Sequence, residues 1–261
     1  ALPDNLIRGK TGARFRAMLQ ARPAPRSTGI PAPLKSNLTA SGKRKVYPRD
    51  SVRLFKSDFL EKLSHVHPAV PAILWIPVVS VLVYRSFSIH GNSLGGFALY
   101  SALGLFVWTL TEYVLHRFVF HFPAKSALGN RFVYLMHGLH HEDPADPTRL
   151  VMPPAPAAIY ALVLFPIFRS IVGAEYAEAF IAAFLVGYLA YDYIHYYVHH
   201  FSPKNPVGKY LKRFHLLHHF ADYESRWGVS NPLWDYVFGT AESKSDAKSG
   251  PKNAASRATT A

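Results

Sequence analysis

Residues 94–121 read LGGFALYSALGLFVWTLTEYVLHRFVFH, and this stretch joins the two features on which the fold turns. Leu94 to Thr111 carries no charge and approaches the roughly 17–25 residues that a helix needs to cross hydrocarbon. Glu112 follows at once, and then His116 and His121. An apolar span running directly into a histidine pair puts imidazoles at the edge of a membrane.

Outward from this stretch the pattern repeats. Pro68 to Tyr84 is likewise uncharged, and Val151–Phe168 and Ala179–Tyr191 are apolar, although shorter or interrupted by proline. Four such segments predict two helical hairpins, and so an all-α integral membrane protein with four transmembrane helices. Charge supports the reading. If the N-terminal arm is cytosolic, 27 of the 29 Lys and Arg fall on its side of the spans, leaving Arg85 and Arg169 for the other, as the positive-inside rule requires. A soluble helical bundle would also carry long apolar runs, but it has no reason to sort its charges in this way.

The organisation expected is a basic, mostly disordered arm over 1–50, a segment 51–67 holding most of a short amphipathic helix (Asp50–Leu63), a membrane domain over 68–240 and a disordered tail over 241–261. Pro, Ser and Thr are frequent in the arm, which lacks the apolar core a cleavable signal peptide needs. Its basic residues have neither interleaved aromatics nor a recognised motif, so nucleic acid is not an expected partner. Anionic lipid headgroups are. The net charge of +13 accompanies a composition that is 49% hydrophobic, and cysteine is absent. That absence removes disulfides, thiolate zinc sites, iron–sulfur clusters and cysteine nucleophiles.

Fourteen histidines stand against sixteen acids, and ten of them fall in four boxes. These are His116 and His121 in HRFVFH, His137, His140 and His141 in HGLHH, His195 and His199 in HYYVHH, and His215, His218 and His219 in HLLHH. Residues three and four apart share a helix face, so HGLHH and HLLHH are each expected to aim at one point, as is His195 with His199. His116 and His121, five apart, diverge on a regular helix. A break near Phe122–Pro123 is therefore expected between their directions.

Ten imidazoles exceed what one ion holds at four to six bonds, which implies two metal ions. A haem iron would use only one or two of them, and a hydrolytic zinc site of the HExxH type is not present. Iron is the expected metal, because it cycles between redox states and a pair can drive oxygen chemistry on an unactivated C–H bond. Zinc would be a substitute. All four boxes fall on the arm's side of the spans, so the dimetal site is expected in a cytosolic helical cap.

The boxes resemble the membrane fatty acid hydroxylase superfamily, with its histidine-ligated non-haem diiron centre. The closest likeness is to fatty acid 2-hydroxylases, over roughly residues 85–240. It rests on EYVLHRFVFHF (112–122), LMHGLHH (135–141), RLVMPP (149–154), YDYIHYYVHH (191–200), KYLKRFHLLHHF (209–220) and GVSNPLWDYVFGT (228–240). The resemblance implies metal ligands at His116, His121, His137, His140, His141, His195, His199, His215, His218 and His219. It implies O2-dependent hydroxylation at C2 of a fatty acyl chain, free or ceramide-bound, by a diiron monooxygenase of a bacterial inner membrane or the endoplasmic reticulum. Fungal and animal members often carry a cytochrome b5 domain with an HPGG motif, where this chain has HPAV at 67–70. A separate electron donor, cytochrome b5 or ferredoxin-like, is expected. The alternatives are a sterol or carotenoid hydroxylase or desaturase of the same superfamily, and a non-catalytic membrane metal or haem binder.

Other polar residues are weighed beside the ligands. Glu112 and Asp192 lie one turn before His116 and His195 and are expected to orient those imidazoles. Asp143 and Asp146 read as turn and cap residues. His200 reads as structural, and His65, His67 and His90 as interfacial. Tyr193, Tyr196 and Tyr197 form an aromatic belt, and Trp227 and Trp234 the rim of an acyl entrance or a lipid anchor.

Overall fold

The computed structural model describes residues 51–242, so the expected arm over 1–50 and all but the first two residues of the tail lie outside it. Every element among the described residues is helical. In chain order they are α1 (Asp58–Leu63), α2 (Val70–Ser88), α3 (Leu94–Val114), α4 (Ala127–Val133), α5 (Leu139–Glu142), α6 (Pro154–Val172), α7 (Ala177–His200), α8 (Pro206–Phe220) and α9 (Leu233–Val237). Two π-helical turns are inserted, Leu115–Phe120 on the end of α3 and Tyr134–Gly138 between α4 and α5.

Among the described residues four helices are long and apolar enough to cross a membrane: α2, α3 with its π turn, α6 and α7. Their ends follow local chemistry. The Ser93 hydroxyl accepts from the Gly96 N–H at 3.1 Å and starts α3, while Pro153 and Pro154 delay α6 to position 154, where a proline N–H is not missed. α7 does not stop at Tyr191 as the hydropathy expects but runs on through the third histidine box to His200. Span and ligand box are thus one rigid rod.

The bundle is built around α7. Of its apolar window 78% is buried inside the protein, against 6–17% for the other three spans. α3 packs along its length and α2 beside it, with α6 covering the remaining face more lightly. Gly104 makes the closest crossing, since a Cβ there would lie 2.1 Å from the Phe180 carbonyl oxygen. The outer faces carry Ile73, Val81, Leu99, Phe106, Leu162 and Ile171, all exposed. A belt of that kind suits lipid and not water.

One end of the bundle is tied by Glu178, buried at the start of α7, which takes a forked contact from Arg85 at 2.8–3.1 Å. His90 stands 3.4 Å from the same carboxylate. The other end carries all four histidine boxes. There Glu61 accepts from the Leu54 and Phe55 N–H groups at 2.8 Å each and pairs with Arg149, the first residue of RLVMPP. His65 contacts Thr148 at 2.6 Å and Arg149 at 2.8 Å.

Candidate metal centre

The structure divides the ten box histidines into two groups of five. One holds His116, His121, His137, His141 and His218; the other holds His140, His195, His199, His215 and His219. Within each group the ligand atoms lie within 4.8 Å of one another. The HxxHH boxes therefore do not each aim at one point. His137 and His141, one full turn apart, serve the first group while His140 turns to the second. On α8 the assignment reverses: His215 and His219 share the second group, and His218 points to the first. A difference of one residue swings a helical side chain by about 100°, so adjacent histidines naturally face different ions.

His116 and His121 reach one group through a π turn, and the break expected near Phe122–Pro123 follows it. The π-helical turn over Leu115–Phe120 closes i→i+5 in place of i→i+4 and so brings residues five apart onto one face. The helix ends at His121 itself, whose backbone leaves helical geometry at φ −107° and ψ 23°. The second π turn, Tyr134–Gly138, carries His137 in the same way.

Nε2 atoms face inward in pairs. In the first group His116 and His137 are 3.0 Å apart and His121 and His141 3.1 Å. In the second, His140–His195 is 2.9 Å, His199–His215 2.8 Å and His215–His219 3.0 Å. Two nitrogens bound at right angles to one ion at about 2.1 Å lie about 3.0 Å apart, so these spacings fit neighbouring ligands of a shared cation. Charge fits as well. Burial and the neighbouring imidazoles push His121 down to about 2 and His141 to about 3. They hold His137, His140, His215, His218 and His219 well below the ordinary histidine value. All of these rings are therefore neutral near pH 7, the form that binds metal.

The partners of the outward nitrogens differ from expectation. Glu112 does not reach His116, because its carboxylate accepts from the Val229 and Ser230 N–H groups at 2.7 Å each and from the Ser230 hydroxyl. The Nδ1 of His116 donates instead to the Trp227 carbonyl at 2.5 Å, and that of His218 to the Ser225 carbonyl at 2.8 Å. Asp192 does not reach His195 either; its oxygens face the Met152 N–H at 3.4 Å. In both cases the side chain one turn back points away from the imidazole and into an adjoining loop.

Trp227 is neither rim nor lipid anchor. It is buried, with its ring 4.9–5.6 Å from those of His116, His121 and His218. Trp234 lies further out, donating to Thr109 at 2.9 Å. Of the tyrosines, Tyr193 donates to the Pro68 carbonyl at 2.9 Å and Tyr196 packs on His200, which joins neither group. Asp146 closes a turn on Thr148 at 2.9 Å.

A residue the sequence reading passed over is Asp235. Fully buried, it accepts from the Trp227 N–H at 2.8 Å, the Gly228 N–H at 2.7 Å and the Thr240 hydroxyl at 2.7 Å. Burial raises its carboxyl, opposed by those three bonds. A Cβ at Gly228 would lie 1.9 Å from the Asn231 carbonyl oxygen, so only glycine lets this loop close. The signal lay in the GVSNPLWDYVFGT ending, whose glycine and aspartate are spaced for this loop.

Below the histidines an apolar cavity of about 140 Å³ opens between α2, α3, α6 and α7. It reaches from Leu115 and Met152 at the histidine end past Trp108 and Tyr188 to Phe168 and Ile181.

The family model for fatty acid hydroxylases matches residues 101–240. Dihydroceramide fatty acyl 2-hydroxylase FAH1 of Arabidopsis thaliana is 45% identical over 193 residues, 74% of this chain and 81% of its own length. The fatty acid 2-hydroxylase of Homo sapiens is 38% identical over 211 residues, 72% of this chain and 56% of its own. Among solved structures, full-length Scs7p, with only its hydroxylase domain visible, matches with a TM-score of 0.67 at 36% identity, covering 71% of this chain and 70% of that one.

Proposed function

Because this chain belongs to the fatty acid hydroxylase family, we propose that it inserts oxygen from O2 at C2 of a fatty acyl chain, free or carried on a ceramide, at a pair of iron ions held by the ten histidines. The observation that carries this reading is the grouping of those histidines, five and five, at one end of an apolar cavity. A redox-active pair bound there supplies the activation of O2 and the oxidant for a C–H bond.

The chain's own residues do the rest. His116, His121, His137, His141 and His218 hold one ion, and His140, His195, His199, His215 and His219 the other. The cavity walls take the alkyl chain, whose burial is worth about 0.8 kcal/mol per CH2. They leave the carboxyl or amide end at the histidines, so the carbon beside that end is the one presented. Trp227 and the apolar walls keep bulk water from the reacting carbon. The histidine end faces the cytosol, where a separate donor, cytochrome b5 or ferredoxin-like, delivers electrons to the basic surface.

Expression in a host lacking 2-hydroxy lipids, followed by lipid mass spectrometry, tests the proposal. 2-Hydroxy acyl chains should appear and should require O2 and iron. Oxidised sterol or carotenoid rings in their place would overturn it.

A further inference from the structure

The two groups of histidines are not equivalent in what stands behind them. In the first, the Nδ1 atoms of His116 and His218 are anchored on the Trp227 and Ser225 carbonyls. A carbonyl only accepts, so each Nδ1 carries the proton and each Nε2 presents its lone pair to the ion. In the second, the buried Nδ1 atoms of His195, His215 and His219 meet no hydrogen-bond partner among the described residues. No hydrogen bond to Nδ1 from the described residues fixes the tautomer of those three rings.

The anchoring carbonyls are themselves held. Asp235 fastens the backbone at Trp227 and Gly228, and Glu112 fastens it at Val229 and Ser230. Thr240 completes the lock: its N–H donates to the Asp235 carbonyl at 2.7 Å, and its own carbonyl accepts from the Arg226 N–H at 2.8 Å. Arg226 has a positive φ of 63°, a conformation a non-glycine residue keeps only where its surroundings enforce it. One carboxylate from a span and one from the C-terminal helix therefore clamp a single six-residue loop, and that loop sets two imidazoles of one group.

We infer that Glu112 and Asp235 are positioning residues for one metal ion only, and that the two sites consequently bind with unequal strength, the loop-clamped site of His116 and His218 tightly and the site of His195, His215 and His219 weakly. The inference rests on the metal-centre reading above. Loss of a hydrogen-bonding partner behind a metal-bound histidine typically costs about 10–100-fold in metal affinity.

The test uses the full chain in detergent, loaded with Co2+ under anaerobic conditions and challenged with a chelator while its visible spectrum is followed. The unaltered chain should release two ions in two phases whose rates differ by about 10-fold or more. His218→Ala should lack the slow phase and His219→Ala the fast one. Asp235→Asn and Glu112→Gln should accelerate the slow phase by about 10-fold and leave the fast phase and its spectral component unchanged. Ser230→Ala, which removes one bond to Glu112, should move the slow phase in the same direction by less.

Release of both ions in one phase, or equal acceleration of both phases in the carboxylate variants, would overturn the inference, because a merely structural role would loosen both sites together. Should either carboxylate variant fail to accumulate, Ser230→Ala and the two histidine variants decide the question alone. Binding of fewer than two ions by the unaltered chain would instead overturn the metal-centre reading itself.

Discussion

His218 and His219 are neighbours in the chain, yet their rings stand at 89° to one another and belong to different groups. One turn of α8 thus bridges the two proposed ions, as does the turn carrying His140 and His141. Replacing one member of such a pair should therefore cost the ion that its own ring faces. We expect His140→Ala and His218→Ala each to abolish 2-hydroxy product while the protein still inserts in the membrane, a loss exceeding the roughly 10–100-fold typical of changes behind a ligand. Lipid mass spectrometry paired with immunoblotting of the membrane fraction checks this, and retained product in both variants would contradict the ligand assignment.

Acid should weaken the fold around the centre. His137, His140, His215, His218 and His219 are held well below their ordinary value by burial, so the folded chain keeps them neutral while the unfolded chain protonates them below about pH 6.5. The unfolded state then binds more protons, and stability falls as pH falls. Their contribution is complete above the unfolded value and is lost progressively below it. The metal-free chain should melt at a lower temperature at pH 5.5 than at pH 7.5. An unchanged melting temperature across that window would refute the burial argument.

The Gly104 crossing is intolerant of bulk. Alanine there puts a Cβ 2.1 Å from the Phe180 carbonyl oxygen, so α3 and α7 must separate along their whole contact. Overpacking of this sort costs about 1–3 kcal/mol, and because both helices end in ligand boxes, metal content should fall along with thermal stability in detergent. Gly95→Ala, where a Cβ meets open space, serves as the neutral comparison. A Gly104→Ala chain as stable as the parent would mean that the helices slide apart freely.

Chain length should be set at the far end of the cavity. Ile181 lies fourteen residues before His195 on α7, which is about 21 Å along a helix, and it lines the cavity beside Phe168. Ile181→Trp should remove the longest 2-hydroxy acyl products and spare the shorter ones. Product distributions from cells fed acids of graded length would reveal it; a uniform decrease at every length would count against the cavity as the acyl site.

Much of this was legible in the sequence because it depends on periodicity. Four uncharged runs marked the spans, and the i, i+4 spacing of His195 and His199 placed both on one group. What stayed hidden depends on the backbone. The π turn under His116 and His121 inserts one residue into an otherwise ordinary helix, and no side chain announces it. The division of HGLHH and HLLHH between two groups needs the position of a second ion, which spacing within one box does not contain. Glu112 was singled out for the right region and the wrong contact: its partners are the N–H groups of Val229 and Ser230, and the acceptors behind the imidazoles are carbonyls, which every residue has.

The clamp over Ser225–Thr240 also fixes when the centre can come into being. A nascent chain halted before residue 215 already owns all four spans and seven of the ten imidazoles, but neither group is complete, and the loop behind His116 and His218 has yet to be synthesised. Neither set of five imidazoles is therefore whole until α8 and the loop behind it have been made, and a chain truncated ahead of residue 215 would carry four apolar helices without either complete group.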